Sequence, residues 1–265
     1  MTAPKFSACV IVRNEETRLP RLLDSLENFR DRGGEVIIVD TGSNDKTIRV
    51  ARSFQCKVFE TGKKFYYKVS VPEAKAINHT LVIPGDLPII KPGQLLFQEG
   101  VARNFAATQA ANDFITCVDA DEAFTSLDID TINGAIEAGC RRLEVDFIDQ
   151  HDVHGNPTNR FWSSWRWYDR RFYHWAGTMH PKLTADNGDD IVRLDPSTCL
   201  IEHWQGPSIN RSQYLVKLAY SVWAEPEDER QLHAFGRELM VNQRYRSAIR
   251  IFARHVLMGR HSCER

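Results

Sequence analysis

Three carboxylates follow directly on an apolar segment near the middle of the chain. Residues 114–117 form a short apolar and β-branched run that predicts a buried strand, and Val118, Asp119, Ala120, Asp121 and Glu122 come next. Ligands of open α/β sheets bind at the carboxyl ends of the strands. Carboxylates this close repel one another unless a cation lies between them, and Mg²⁺ or Mn²⁺ is commonly shared between protein carboxylates and a substrate diphosphate. The alternative is that the acids only cap the next helix.

The first 60 residues alternate between strand and helix patterns. The predicted strands are 5–12, 35–39 and 57–59, and the predicted helices between them are 19–29 and 46–54. Two repeats of strand and helix predict a parallel sheet with right-handed crossovers. A further helix at 99–111 leads into the strand that ends in the acidic run. The acidic run is therefore expected at the end of the fourth parallel strand.

The rest of the chain divides into an insertion, an aromatic half and a helical tail. Dispersed prolines at 62–97 predict an insertion with a hairpin near the ligand site. The β-like half at 144–205 carries dense aromatics, from Trp162 to Trp175, which are expected to form either a platform for a sugar or base or part of a mixed-sheet core. We expect one α/β domain at 1–205 and a helical region at 206–265.

Composition indicates a globular protein rather than a membrane-spanning or disulfide-rich one. Of the 265 residues, 42% are hydrophobic, and the formal net charge is −1. No apolar window is long enough to cross a bilayer and the start lacks a leader pattern, so a cytoplasmic protein is expected. The six cysteines have no short paired spacing, which disfavours zinc and disulfides. Residues 206–265 carry 10 basic and 6 acidic side chains, which favours either a polyanionic acceptor or a solvated surface.

Four pieces of the sequence occur in an order that a known family also has. They are Arg13-Asn14-Glu15-Glu16 after the first strand, the turn from Asp40 to Asp45 after the second, Arg103 on a helix, and the acidic run. Together they resemble the family 2 glycosyltransferases of the GT-A fold, of the bacterial and phage type. The resemblance implies an α/β, Rossmann-like fold with a mixed, mostly parallel sheet and a small C-terminal helical appendage. It also implies a hexosyltransferase activity.

The ends of the first two strands hold the nucleotide in that family, and the resemblance places Asn14, Glu15 and Asp40 there. A carboxylate can accept the imide hydrogen of uracil, so a UDP-sugar is the expected donor. Thr41 stands where many relatives have a second acid. The residues expected to bind the donor are Val12, Arg13, Asn14, Glu15, Asp40, Ser43, Arg103, Asp119 and Ala120.

The acidic run corresponds to the Asp-x-Asp signature of the family. The resemblance implies that Asp119 contacts the nucleotide sugar and that Asp121 binds Mn²⁺ or Mg²⁺, with Asp119 as a second metal ligand. His180 and His203 are further candidate ligands, and the alternative for each is a hydrogen-bonded structural histidine. Glu122 is expected either behind the metal ligands or as a helix cap.

The catalytic base has several candidates. His180 follows an aromatic and glycine turn that in relatives delivers a histidine or an acid to the sugar, but Pro181 replaces the acid that often comes next. Asp149, Asp152 and Glu122 are the other candidates. The expected mechanism is direct displacement at the anomeric carbon with inversion, in which the base removes the acceptor proton.

The tail around residues 235–249 resembles one tetratricopeptide-type helix pair, with Gly236 and Ala248 at the crossing. A single pair is expected to dock on the catalytic domain, to bind a partner or to mediate self-association. The acceptors of relatives are glycans, peptides and, in some phages, modified DNA bases. The alternative functions are a nucleotidyltransferase, whose glycine-rich basic loop is missing here, and a non-catalytic module that binds a sugar or nucleic acid.

Overall fold

The structure of the protein, a computed structural model, describes residues 2–151, 157–177, 181–185, 191–204 and 211–262. The strands are β1 (Phe6–Val12), β2 (Glu35–Asp40), β3 (Lys57–Glu60), β4 (Tyr66–Lys68), β5 (Leu95–Phe97), β6 (Phe114–Asp119), β7 (Glu122–Leu127), β8 (Arg142–His151), β9 (Pro157–Asp169), β10 (Tyr173–Ala176), β11 (Lys182–Ala185), β12 (Ile191–Arg193) and β13 (Cys199–His203). The helices are α1 (Leu19–Ser25), α2 (Glu27–Asp31), α3 (Thr47–Ser53), α4 (Val71–Leu81), α5 (Glu99–Thr108), α6 (Ile129–Glu137), α7 (Arg211–Ala224), α8 (Glu229–Val241) and α9 (Tyr245–Ser262).

The chain divides into two compact units. The first unit comprises Met1–Phe65, Val101–Ala176 and Lys182–Ser208, and the second comprises Tyr66–Gly100, Gly177–Pro181 and Ile209–Arg265. The segment expected as an insertion thus groups with the C-terminal helices. The predicted division of the chain near residue 205 stays a prediction, because that boundary falls outside the described residues.

The first unit is built on one mixed sheet, to which nine strands contribute within the described ranges. Its order is β3-β2-β1-β6-β9-β8-β13-β7, and β12 pairs with β8. β1, β2, β3 and β6 are mutually parallel neighbours, whereas β9 runs antiparallel to both β6 and β8. The predicted α/β class, with a mostly parallel sheet and C-terminal helices, is confirmed.

The central parallel strands end at one edge of the sheet. β1 and β6 are apolar along nearly their whole length and almost entirely buried, as strands covered on both faces should be. In the register, Val12 lies beside Asp40 and Ile11 lies beside Asp119. The loops that follow β1, β2 and β6 therefore meet at this edge, and the expected place of the acidic run after the fourth parallel strand is confirmed.

Glu122 does not cap the helix that follows the acidic run. Glu122 begins β7, which pairs with β13, and the side chain of Asp128 caps α6 instead.

The expectation of a hairpin in the insertion is wrong. β4 and β5 do pair antiparallel, but α4 lies between them in the chain. A capping box between Ser70 and Glu73 starts α4, and an apolar face formed by Ala74, Ile77 and Leu81 is buried.

Most of the described aromatic side chains between residues 162 and 175 are buried. Trp167 is fully buried, and its ring centroid lies 5.0 Å from that of Phe6 on β1. Tyr168 and Trp175 are also buried, and the Trp175 indole N–H donates to the Tyr168 hydroxyl at 3.0 Å. The side chains of Trp162 and Trp165 lie outside the described residues. The core alternative therefore holds for these buried rings, whereas Phe172 is half-buried.

The second unit has its own apolar core, formed by α4, α7, α8 and α9. Gly236 lies where α8 crosses α9, since a Cβ atom there would stand 2.7 Å from Cε1 of Phe252. Ala248 on α9 is completely buried. The expectation of a small residue at this crossing is confirmed for Gly236, whereas the place of Ala248 at the crossing and the tetratricopeptide relationship stay predictions. Within the described ranges, every helix is too short or too polar to span a bilayer.

Candidate active site

The loops after β1 and β2 are tied together by side-chain hydrogen bonds. The Asn14 backbone N–H donates to Ser43 Oγ at 2.9 Å, and the Asn14 side-chain oxygen accepts from the Asn44 backbone N–H at 2.7 Å. Asn14 has a φ of 57°, a left-handed conformation that asparagine tolerates better than most residues. The Glu15 backbone N–H donates to Thr47 Oγ1 at 2.7 Å. The two loops thus form one preorganised surface at the strand ends.

Asp40 lies at the base of this surface. Its side chain is buried and accepts hydrogen bonds from the backbone N–H groups of Gly42, at 3.0 Å, and Ser43, at 3.2 Å. Thr41 donates from Oγ1 to the Val12 carbonyl at 3.1 Å, so it fastens β1 to β2. Thr41, where the resemblance would often have an acid, therefore has a structural role here.

Asp119 is held between two arginines. Its carboxylate accepts from Arg103 Nη2 at 2.9 Å and from Arg166 Nη1 at 2.7 Å. Burial disfavours the charged form of Asp119, but the attraction of Arg103 and Arg166 outweighs it and holds the pKa of this carboxyl below its usual range. Asp119 is therefore a fixed carboxylate at neutral pH.

Glu122 lies beneath Asp119 and shares Arg166 with it. Its side chain is only 2% exposed, one carboxylate oxygen pairs with Arg166 Nη2, and the other accepts the Asp119 backbone N–H at 2.8 Å. Burial raises the pKa of Glu122 to about 7, and the attraction of Arg166 opposes that rise. Glu122 therefore supports the loop that carries Asp119 and Asp121.

Asp121 faces a histidine and two arginines. Its Oδ2 atom lies 3.5 Å from His203 Nε2 and 3.5 Å from Arg18 Nη1. Its carbonyl oxygen accepts from Arg21 Nη2 and from the Trp204 backbone N–H, both at 2.9 Å. The carboxylate is thus anchored through its backbone, while its side chain keeps 23% of its surface exposed.

His203 ends β13 between two carboxylates. Its Nδ1 atom lies 2.9 Å from Asp149 Oδ1, and its Nε2 atom points toward Asp121. Burial alone would lower the pKa of this imidazole, but the hydrogen bonds to Asp121 and Asp149, with the negative charges of Asp121 and Glu122, raise it to about 9. The position between the two acids therefore favours positive charge.

Most of the residues predicted from the sequence come to this edge of the sheet. These are Val12, Arg13, Asn14, Glu15, Asp40, Ser43, Arg103, Asp119, Ala120, Asp121, Glu122, Asp149 and His203. His180 and Asp152 lie outside the described residues, so their roles stay predictions.

Three arginines of the site were not predicted. Arg18 and Arg21 lie one turn apart at the start of α1, and the Arg21 guanidinium stacks 4.6 Å from the centroid of the Trp204 ring. Their spacing on a helix that follows a candidate loop was an available signal. Arg166 comes from antiparallel β9, and the only signal for it was a cation within an aromatic strand.

Asp121 and His203 offer one carboxylate oxygen and one imidazole nitrogen 3.5 Å apart. Among the described residues no group of three or more His, Cys, Asp or Glu side chains is placed to hold a metal ion. Two protein ligands, with the remainder from substrate phosphates and water, are a common arrangement for Mg²⁺ and Mn²⁺. The pair, with Asp149 behind His203, fits such a shared ion.

Residues 7–71 match the model of the family Glycosyl transferase family 2. An uncharacterized glycosyltransferase of Rickettsia bellii is 30% identical over 118 residues, which are 44% of this chain and 28% of that protein. The 4,4'-diaponeurosporenoate glycosyltransferase of Staphylococcus haemolyticus is 43% identical over 58 residues, which are 22% of this chain and 15% of that protein. The chain thus spans less than a third of these curated relatives, and the similarity to the family model is confined to its N-terminal segment.

Two solved structures are more distantly similar. Residues 1–349 of TarS from S. aureus, in complex with UDP-GlcNAc, are 15% identical and align with a TM-score of 0.47 over 91% of this chain and 67% of that chain. The glucosyl-3-phosphoglycerate synthase of Mycobacterium tuberculosis, with Mn²⁺ and UDP-glucose, is 19% identical, with a TM-score of 0.35 over 54% of this chain and 44% of that chain.

Replacing Arg166 by Gln should destabilise the first unit strongly. The substitution leaves Asp119 and Glu122 without the cation between them, and breaking a buried ion pair in this way typically costs about 3–5 kcal/mol. Chemical denaturation followed by tryptophan fluorescence measures the loss. Arg52→Gln is the matched control, since Arg52 pairs with Glu60 on an exposed surface and its loss should change the midpoint little. Unfolding of Arg166→Gln at the midpoint of the parent would contradict the bridging role.

Proposed function

We propose that the protein is a metal-dependent glycosyltransferase that moves a sugar from a UDP-sugar to an acceptor hydroxyl with inversion. The observation that carries this proposal is the meeting of Asp119, Asp121 and His203 with paired arginines, beside the loop of Asp40, at the carboxyl edge of a parallel sheet. The family match of residues 7–71 supports it, because that segment contains the loops after β1 and β2. The acceptor is a glycan, a peptide or a modified DNA base.

The loops after β1 and β2 would bind the uridine. Asp40 uses its carboxylate to order its own turn, and an ionised carboxylate has lone pairs left to accept the uracil imide N–H. Asn14 and Ser43 hold the two loops together, which fixes the backbone from Val12 to Glu15 against the base and ribose. The donor would thus meet a surface that needs little reordering, which favours affinity.

The Asp119 carboxylate would accept hydroxyl hydrogens of the donor ribose or sugar. It is suited to this because Arg103 and Arg166 fix its orientation and keep it ionised. Arg18 lies on the other side of the acidic run, beside Asp121, and is 37% exposed. A guanidinium there can pair with phosphate oxygens and offset the charge of a diphosphate.

Asp121 Oδ2 and His203 Nε2 would hold the metal ion, which would take the place of the proton that the two acids favour on the free imidazole. One oxygen and one imidazole nitrogen favour Mn²⁺ over Mg²⁺, because Mg²⁺ prefers oxygen ligands almost exclusively. When bound, the ion supplies positive charge that stabilises the diphosphate leaving group. Asp149 acts through His203: its bond to Nδ1 keeps Nε2 directed at Asp121.

The base that removes the acceptor proton is proposed to be His180, on the grounds of its sequence position alone. Of the other three predicted bases, Asp152 lies outside the described residues, Asp149 is engaged with His203, and Glu122 is buried against Arg166. A base must reach the acceptor hydroxyl within hydrogen-bond distance. We therefore propose positioning roles for Asp149 and Glu122, and direct displacement at the anomeric carbon without a covalent intermediate.

Asp121→Asn should abolish turnover of the donor while the fold stays intact. The amide keeps the shape of the side chain but removes the charge that would bind the metal, so release of UDP from a panel of UDP-sugars with Mn²⁺ should fall at least about 100-fold. Asp146→Asn is the control, because Asp146, on β8, pairs with the exposed Arg193 of β12. Parent-level UDP release by Asp121→Asn would refute the proposal, as would a parent enzyme that turns over no donor of the panel.

Asp149→Asn should weaken binding of Mn²⁺ by about 10–100-fold, the usual effect of losing a carboxylate behind a ligating histidine. The substitution removes the negative charge that strengthens the hydrogen bond to His203 Nδ1 and leaves only a neutral amide there. Isothermal titration with Mn²⁺ in the presence of UDP measures the change without any need for turnover. Asp146→Asn should bind Mn²⁺ as the parent does, and equal affinities for all three proteins would contradict the positioning role of Asp149.

A further inference from the structure

α9 carries an apolar stripe that faces away from the core of its unit. Ala248 and Ile251 pack inward, whereas Tyr245, Ile249 and Val256 are 54%, 67% and 53% exposed. With 3.6 residues per turn, these three exposed side chains fall within about 40° of one another around the helix. The stripe is therefore a continuous feature rather than a scatter of single apolar residues.

A row of cations runs beside this stripe. Arg246, Arg250 and Arg254 follow one another at intervals of four residues, so they lie within about 80° around α9, next to the apolar stripe. α9 contains no Asp or Glu from Tyr245 to Ser262. Arg246 and Arg250 are exposed. The outward surface of α9 thus carries a row of cations beside the apolar stripe, with the exposed Leu257 among the cations, and no acid.

Two recesses beside the start of α9 are also lined by apolar and cationic side chains. One, of about 450 Å³, is lined by Leu87, Tyr245 and Arg246, and Leu87 is 76% exposed. Asp86 also lines it, where its carboxylate accepts from Ser247 Oγ. The other recess, of about 640 Å³, has Lys91 and Arg244 as its charged lining residues. Arg244 donates to the Leu87 carbonyl at 2.5 Å, which fixes this leucine beside α9.

We propose that the basic apolar face, formed by Leu87, Tyr245, Ile249, Val256, Arg246 and Arg250, docks on a membrane surface rich in anionic phospholipid. Helices that lie in a membrane interface combine apolar side chains that enter the acyl boundary with arginines that bind lipid phosphates. The exposed apolar stripe and the row of cations supply both parts. Lys91 and Arg244 add phosphate-binding cations in the adjoining recess.

The positive charge of the basic apolar face favours an anionic membrane over a second copy of the chain. A symmetric pair of molecules joined through the basic apolar face would place the arginines of one α9 beside those of the other, and like charges at an interface are unfavourable. An anionic bilayer complements both the cations and the apolar side chains. Each arginine near such a surface strengthens binding about fivefold.

Vesicle co-sedimentation of the full chain tests the proposal without donor or acceptor, so its outcome is independent of the transferase proposal. The protein should bind vesicles of phosphatidylcholine with 30% phosphatidylglycerol at low salt, bind pure phosphatidylcholine weakly, and dissociate at high salt. A phosphatidylglycerol content of about 30% gives the vesicles a surface potential near that of natural anionic membranes. Equal binding to both kinds of vesicle would overturn the electrostatic part of the proposal.

Two variants assign the binding to the basic apolar face. Arg246→Gln/Arg250→Gln should weaken partition onto the anionic vesicles about 30-fold, and Ile249→Ser/Val256→Ser should also weaken it. The matched control, Arg49→Gln/Lys75→Gln, removes the same charge from exposed positions of α3 and α4 and should bind as the parent does. All positions are solvent-exposed, and circular dichroism checks the fold. A parent that stays in the supernatant with anionic vesicles, as expected if an acidic protein covers the face instead, would overturn the proposal.

Discussion

The paired hold of Arg103 and Arg166 on Asp119 is the interaction on which the site depends. Three carboxylates within four residues would repel one another, and two arginines from elements distant in sequence offset that repulsion. Arg166 also bridges to the buried Glu122, so the turn between β6 and β7 is fixed from below. Asp119 and Glu122 are thus paired with arginines. Asp121 is the acid of the run whose side chain faces His203.

This division of labour explains how one acidic run can serve two chemical purposes. The ion-paired Asp119 is a permanent hydrogen-bond acceptor, and its pKa is held below the usual range. Asp121 instead faces a histidine whose orientation is set by Asp149. The surroundings of the two aspartates differ, although one alanine separates them. Under the proposed function, the first would orient the donor and the second would bind the ion that neutralises its diphosphate.

The site residues at the ends of the parallel strands were predictable from the sequence, whereas the site residue on the antiparallel strand β9 was not. Asp40 and Asp119 were predictable because each follows a recognisable buried strand. Arg166 was not, because the register of β9 against β6 and β8 has no local signature in the sequence. Glu122 resembled a helix cap because an acid after a strand often has that role, yet β7 begins there. The division into two units also escaped local patterns, since a segment from 66 to 100 joins helices far along the chain.

The affinity for UDP, measured by isothermal titration with and without Mn²⁺, tests the central claim most directly. Under the proposed function, the site of Asp121 and His203 is completed only when an ion and a diphosphate are both present. UDP should therefore bind at least about tenfold more tightly with Mn²⁺ than with EDTA, while uridine, which has no diphosphate, should bind equally in both conditions. Equal affinity of UDP with and without Mn²⁺ would contradict the account.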